Sequence, residues 1–114
     1  MTLIYKIVSH EIWQRMAKDG VLIGMPVDLA DGYIHFSAAD QLRATAVKHF
    51  AGQTGLQLLA VDPVRLGAAL RWEVSRGGAL FPHLYASLAL GDVALSIPLP
   101  LNDAGMHLFP EGIP

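Results

Sequence analysis

Five of the 114 residues are histidines, His10, His35, His49, His83 and His107. A neutral imidazole carries one donor and one acceptor, and its charge is easily tuned near neutrality. His35 stands in DGYIHFS, residues 31–37, where Tyr33, His35 and Ser37 alternate with Ile34 and Phe36. That is the pattern of a strand with one polar and one apolar face. The polar row reads either as a cleft wall of hydrogen-bonding groups or as packing around a buried histidine satisfied by a backbone carbonyl. His83 follows Pro82 in FPHLY. The fixed φ of proline and its restraint on Phe81 predict an extended loop that presents the ring with little conformational freedom. His10 and His49 fall on expected helices, where solvation or packing is the default, and His107 lies in a tail without a usable pattern.

The stretch WEVSRGGALFPHLY adds further candidates. Arg76 offers a planar fork for phosphate or carboxylate, and Gly77 and Gly78 allow close approach of the backbone to a ligand. The competing reading is a tight turn with a solvated arginine. Glu73, on a strand entering that loop, suits a ribose hydroxyl or acid/base work, or simply faces solvent. Tyr33 and Tyr85 suit stacking on a ligand ring or burial in the core. Zinc is disfavoured because neither HExxH nor HxH occurs, so a histidine-based zinc hydrolase has no motif behind it. No GxSxG supports a serine nucleophile, and Ser37 reads better as a helix cap.

The elements that must position these residues follow from periodicity and punctuation. LIYKIV alternates as a strand. Ser9 is an N-cap for HEIWQRMAKDG, with Ile12, Trp13, Met16 and Ala17 as its apolar stripe and Gly20 as its stop. After VLIG comes a proline-containing loop, then DGYIHFS as one short strand. Ser37 and Asp40 form a capping-box-like start to a helix over AADQLRATAVKHF. GLQLLAVD and LRWEVS are strands, the second with Leu70, Trp72 and Val74 on one side and Arg71 and Glu73 on the other. DVALSIPLPL is a last strand whose prolines imply an edge or an end. The sum is an α+β domain over residues 1–114, with two helices in the N-terminal half and a bent antiparallel or mixed sheet.

Bulk properties narrow the function classes. Apolar residues make up 53% of the chain and charged residues 16%, which argues against disorder and for dense burial or an apolar interface such as a homodimer. The absence of cysteine excludes disulfides, thiolate zinc sites and cysteine nucleophiles. No apolar run is long enough to span a membrane and no signal-peptide pattern is found, so a cytoplasmic protein is expected. A net charge of −2 without a Lys/Arg cluster gives no footprint for DNA. A small-molecule or single-nucleotide ligand remains open.

DGYIHFSAADQL, LLAVD at 58–62, LRWEVSRGGALFPHLYASL at 70–88 and VALSIPL together resemble a bacterial family known as domain of unknown function 952. The likeness runs from about Ile4 to Leu99, leaving 100–114 as a tail. Gly32, Tyr33, Ile34, His35 and Ser37 match its first block, and Glu73, Gly78, Pro82, His83 and Tyr85 its second. The resemblance implies a fold similar to the ADP-ribosyltransferase superfamily, in which a split sheet grips NAD. IHFS is also similar to the H-[LV]-S segment of RNA 2′-phosphotransferases in that superfamily. It implies a cleft in which His35, Glu73 and His83 carry catalysis and Tyr33, Ser37, Arg76, Gly78 and Tyr85 bind the ligand, with NAD as cofactor and no metal. A Q/E-x-E setting for a late catalytic glutamate is missing, which favours nucleotide binding over transfer. The alternative is a non-catalytic module for another small metabolite.

Overall fold

Ser9 marks the first boundary of the fold. The computed structural model describes residues 2–113, and for Arg76 the backbone alone. Strand β1, Ile4–Ser9, runs directly into helix α1, His10–Asp19. The Ser9 hydroxyl accepts the Ile12 N–H at 3.1 Å, and Gly20 closes the helix at φ 80°, a left-handed position that a residue with a Cβ adopts at a cost. Strand β2, Val21–Leu22, is followed by helix α2, Pro26–Asp31, in the segment expected to be a loop. Its construction is local: Pro26 opens it, the Asp28 carboxylate accepts the Met25 N–H at 2.7 Å, and Gly32 at φ 85° stops it.

DGYIHFS is not one strand. Asp31 ends α2, strand β3 is only Ile34–His35, and strand β4, Ser37–Ala38, belongs to another sheet. Helix α3, Leu42–Phe50, starts later than the capping-box pattern predicts. Ser37 does not cap it, because its hydroxyl is hydrogen-bonded to Thr45 Oγ1 at 2.9 Å. Gln41 caps nothing with its side chain either, using Oε1 to accept the Ala38 N–H instead.

Strand β5, Leu56–Val61, leads through a helical-turn segment at Pro63–Ala69 into β6, Leu70–Val74. A tight hairpin joins β6 to β7, Leu80–Leu84, and β8, Leu88–Ala89, and β9, Val93–Pro98, follow. Instead of one bent sheet there are three among the described residues, ordered β4-β1-β5-β9, β2-β8 and β3-β7-β6, and each of these pairings is antiparallel. The α+β class holds, and β9 occupies the edge its prolines imply.

The four-stranded sheet is covered on both faces. Ile4, Val8, Leu59 and Val61 meet Met16 of α1 and Ile34, Leu84 and Leu88, while Tyr5, Ile7, Leu58 and Ala60 meet Leu42 and Ala46 of α3. Lys6 lies between Ile4 and Val8 on β1 and is 6% exposed, so burial on both faces leaves a cation inside the protein. Such a charge costs several kcal/mol, on the order of what a whole helix cap contributes several times over, unless it is paired and hydrogen-bonded.

Candidate functional site

The pairing β3·β7·β6 assembles the site. In its register His35 lies opposite His83, and His83 opposite Arg71. Since side chains alternate, one face of this sheet carries Tyr33 and His35, then Phe81, His83 and Tyr85, then Arg71 and Glu73. Ile34 and Leu84 point the other way into the core. His83 therefore sits in a strand, central in its sheet, and not on the loop that Pro82 suggests. Proline is accommodated because β3 ends where it does: Phe36 donates to the Pro82 carbonyl at 3.0 Å, and the reciprocal bond would need an N–H that proline lacks.

The four rings form one cluster. Tyr33 packs against His83 at 4.2 Å between centroids, His35 at 4.6 Å and Tyr85 at 5.2 Å, and the two imidazoles are 5.4 Å apart. Two carboxylate systems flank them. Glu73 Oε1 accepts from His83 Nδ1 at 2.9 Å and from the Tyr85 hydroxyl at 2.6 Å. Donation from Tyr85, then from His83, holds the Glu73 carboxyl below its usual range, and the same bond to Glu73 raises the Tyr85 phenol. Partial burial, with the charges of Asp31 and Glu73 behind it, raises the Tyr33 phenol.

The second system is the one sequence reading missed. Asp28 is 2% exposed and accepts from Lys6 Nζ at 2.9 Å, from His35 Nδ1 at 2.7 Å and from the His35 backbone N–H at 3.0 Å, besides capping α2. Burial alone would raise its carboxyl. Donation by the His35 ring, the Lys6 charge and the remaining bonds outweigh that and hold it at about 2. Burial pushes the Lys6 ammonium down, opposed by the Asp28 charge and by their hydrogen bond. The other His35 nitrogen, Nε2, faces Asp31 Oδ2 at 2.9 Å. Carboxylates thus face both His35 nitrogens, and only the doubly protonated ring donates to both at once. Pro26, the acidic Asp28 two residues on and Gly32 were the available sign of α2, as was a lysine amid the apolar residues of β1.

A cleft of about 560 Å³ opens between α2, α3 and the β3·β7 pair, with Lys6, Asp31, His35, Ser37, Thr45 and His83 among its polar lining. His83 and His35 thus share one cleft. Ser37 reaches it as a buried hydroxyl shared with Thr45. Glu73, Tyr33 and Tyr85 stand behind the histidines and do not line it. Gly78 does not line it either: Gly77 at φ 66° and Gly78 at φ 81° form the β6–β7 hairpin turn, closed by Ser75 N–H to Ala79 carbonyl at 2.9 Å, and Ser75 is the hairpin's contribution to the cleft. Left-handed backbone, not close approach to a ligand, accounts for these two glycines. The Arg76 side chain lies outside the described residues.

Among the described residues, no group of three or more His, Asp or Glu side chains is arranged to hold a metal ion. No helix there is long and apolar enough to cross a membrane.

Comparison with solved structures finds this architecture elsewhere. The crystal structure of protein CC0527 from Caulobacter crescentus is 48% identical over 94% of this chain and 94% of that one, with a TM-score of 0.90. A crystal structure of its double mutant gives 47% identity over 94% of each chain and a TM-score of 0.90. The solution NMR structure of CC0527 gives 50% identity over 93% of this chain and 91% of that one, with a TM-score of 0.84. No curated protein matches. Residues 7–96 match the family described as protein of unknown function (DUF952), and the chain belongs to that family.

Proposed function

We propose that this protein binds a small ligand in the His35–His83 cleft, that the ligand is a nucleotide such as NAD, and that the fold is of ADP-ribosyltransferase-like kind. The observation that carries the ligand site is His83. It is 2% exposed and hydrogen-bonded at Nδ1 only, and no buried side-chain nitrogen or oxygen among the described residues lacks a partner. Its Nε2 is therefore the part that the cleft reaches. A buried imidazole with one nitrogen turned to a cleft of small-molecule size, within the ~300–1,000 Å³ typical of such sites, is built to meet a ligand.

The groups present suit the nucleoside end of NAD, where ribose hydroxyls and a carboxamide offer hydrogen bonds to imidazole and to the Ser37–Thr45 hydroxyl pair. The candidate for the pyrophosphate is Arg76, on the chemistry of its guanidinium, a planar fork for phosphate. Glu73 acts through His83 in this reading: its Oε1 is committed to His83 and Tyr85, which supports binding more than stabilisation of a developing oxocarbenium. A non-nucleotide metabolite is the second reading, supported by the apolar walls that Met25, Val27, Leu42 and Phe50 give the same cleft.

Thermal shift and amide NMR with millimolar NAD and ADP-ribose test the nucleotide reading. At a concentration about 100 times Kd, binding adds about 2.7 kcal/mol, a rise in Tm of several degrees. The reading fails if Tm stays fixed and the amides of residues 34–37, 81, 83 and 84 do not move.

A further inference from the structure

We infer that His83 meets its ligand as a hydrogen-bond acceptor, so that the ligand group seated against it is a neutral donor, a hydroxyl or an N–H, and not a phosphate or carboxylate. The inference rests on the reading of the cleft as a ligand site and goes beyond it by fixing the chemistry of one contact. Glu73 decides the matter. Its carboxylate takes two donors on one oxygen, Tyr85 at 2.6 Å and His83 Nδ1 at 2.9 Å, and an ionised carboxylate has no hydrogen to give. Nδ1 must then carry the proton. In the neutral ring the lone pair is left on Nε2, the nitrogen without a protein partner among the described residues.

The ring is held in that orientation from several sides. It belongs to the central strand of its sheet, Tyr33 covers one face at 4.2 Å, and the side chain is 3% exposed. His35 cannot play the same part, since Asp28 and Asp31 take both its nitrogens. Of the facing pair His35 and His83, the first has both ring nitrogens taken and the second offers a single acceptor. An anion brought against that lone pair would be repelled, and a hydroxyl would complete it.

The test separates this inference from the nucleotide reading. Two-bond proton–nitrogen correlation on the 15N-labelled, ligand-free protein reads the tautomer directly: His83 should show a protonated Nδ1 and an unprotonated Nε2. Glu73→Gln, with an unchanged amide spectrum elsewhere as the check on folding, should return the ring to a mixture of tautomers and weaken ligand binding about tenfold. Three probes follow, D-ribose as a neutral polyol, inorganic phosphate as an anion, and NAD. Ribose and NAD should shift the His83 Nε2 resonance, and phosphate should leave it in place. An Nε2-protonated ring, a phosphate shift at Nε2, or NAD binding that leaves Nε2 unmoved overturns the inference while the cleft remains a nucleotide site. Failure of NAD to bind, with ribose still shifting Nε2, overturns the nucleotide reading alone, and silence from all three probes overturns both.

Discussion

Replacing Asp28 by Asn is the sharpest test of how this site is held. The carboxylate serves four donors at 2.7–3.0 Å, from Met25, Lys6 and two positions on His35, and its side chain is wholly buried. Asparagine keeps one acceptor oxygen but turns an amide N–H₂ towards donors, and it leaves the Lys6 ammonium buried without a counter-charge. Removing one partner of a buried pair costs roughly 3–5 kcal/mol. The depressed carboxyl points the same way: a shift from 3.8 to about 2 corresponds to about 2 kcal/mol favouring the ionised form. A loss of 3–5 kcal/mol is roughly a third to a half of the stability of a domain this size, which should be on the order of 10 kcal/mol.

Urea denaturation followed by far-UV circular dichroism measures it as a lower midpoint with unchanged slope. Lys6→Met in the Asp28→Asn background should recover part of the loss, since the orphaned charge goes with it, giving a coupling of about 1–3 kcal/mol. A loss below about 1 kcal/mol in Asp28→Asn, or strict additivity in the double variant, would mean that the Lys6–Asp28 pair does not organise this region.

Three other outcomes are expected. Because the folded Asp28 value lies below the unfolded one, its stabilisation is complete above about pH 5 and is lost as pH falls through about 2. The stability difference between wild type and Asp28→Asn should therefore shrink by about 2 kcal/mol between pH 5 and pH 1.5; a constant gap in acid denaturation would refute this. Ser9→Ala removes the α1 cap and should cost about 1 kcal/mol in urea, and no change would show that the hydroxyl bond to Ile12 is dispensable. In Tyr85→Phe the Glu73 carboxyl should titrate closer to its ordinary value of 4.5, because the lost hydroxyl is the leading cause of its depression; carbon-detected NMR titration would contradict this if the value stayed put.

Legibility in the sequence followed the range of the interactions. Ser9, Gly20 and the apolar stripe of α1 are local signals, and they placed that helix to the residue. The alternation in LRWEVS and the prolines of the last strand are local too, and strand β6 and the edge position of β9 came out as read, although Trp72 and Val74 on the apolar side of β6 are exposed. Helix α2 is six residues long, too short to show a 3.6-residue period, so only its punctuation by Pro26 and Gly32 could reveal it. Pro82 misled because its cost in a strand depends on where the neighbouring strand stops, and that is a property of β3 and not of Pro82's own neighbours.

The candidate site was half legible for the same reason. Tyr33, His35, His83, Tyr85 and Glu73 could be named from two short blocks, yet the partition of labour between the histidines could not. That partition is made by Asp28, Asp31 and Glu73, which fill three of the four ring nitrogens and leave one. Lys6 enters through β1, which brings a cation to the carboxylate of α2. A substitution at Asp28 should therefore be felt in two currencies, stability through Lys6 and ligand geometry through His35, whereas one at Glu73 should change the ligand contact and leave folding nearly untouched. Measuring both variants for both properties separates the buried pair that holds the cleft from the half-buried carboxylate that sets what the cleft accepts.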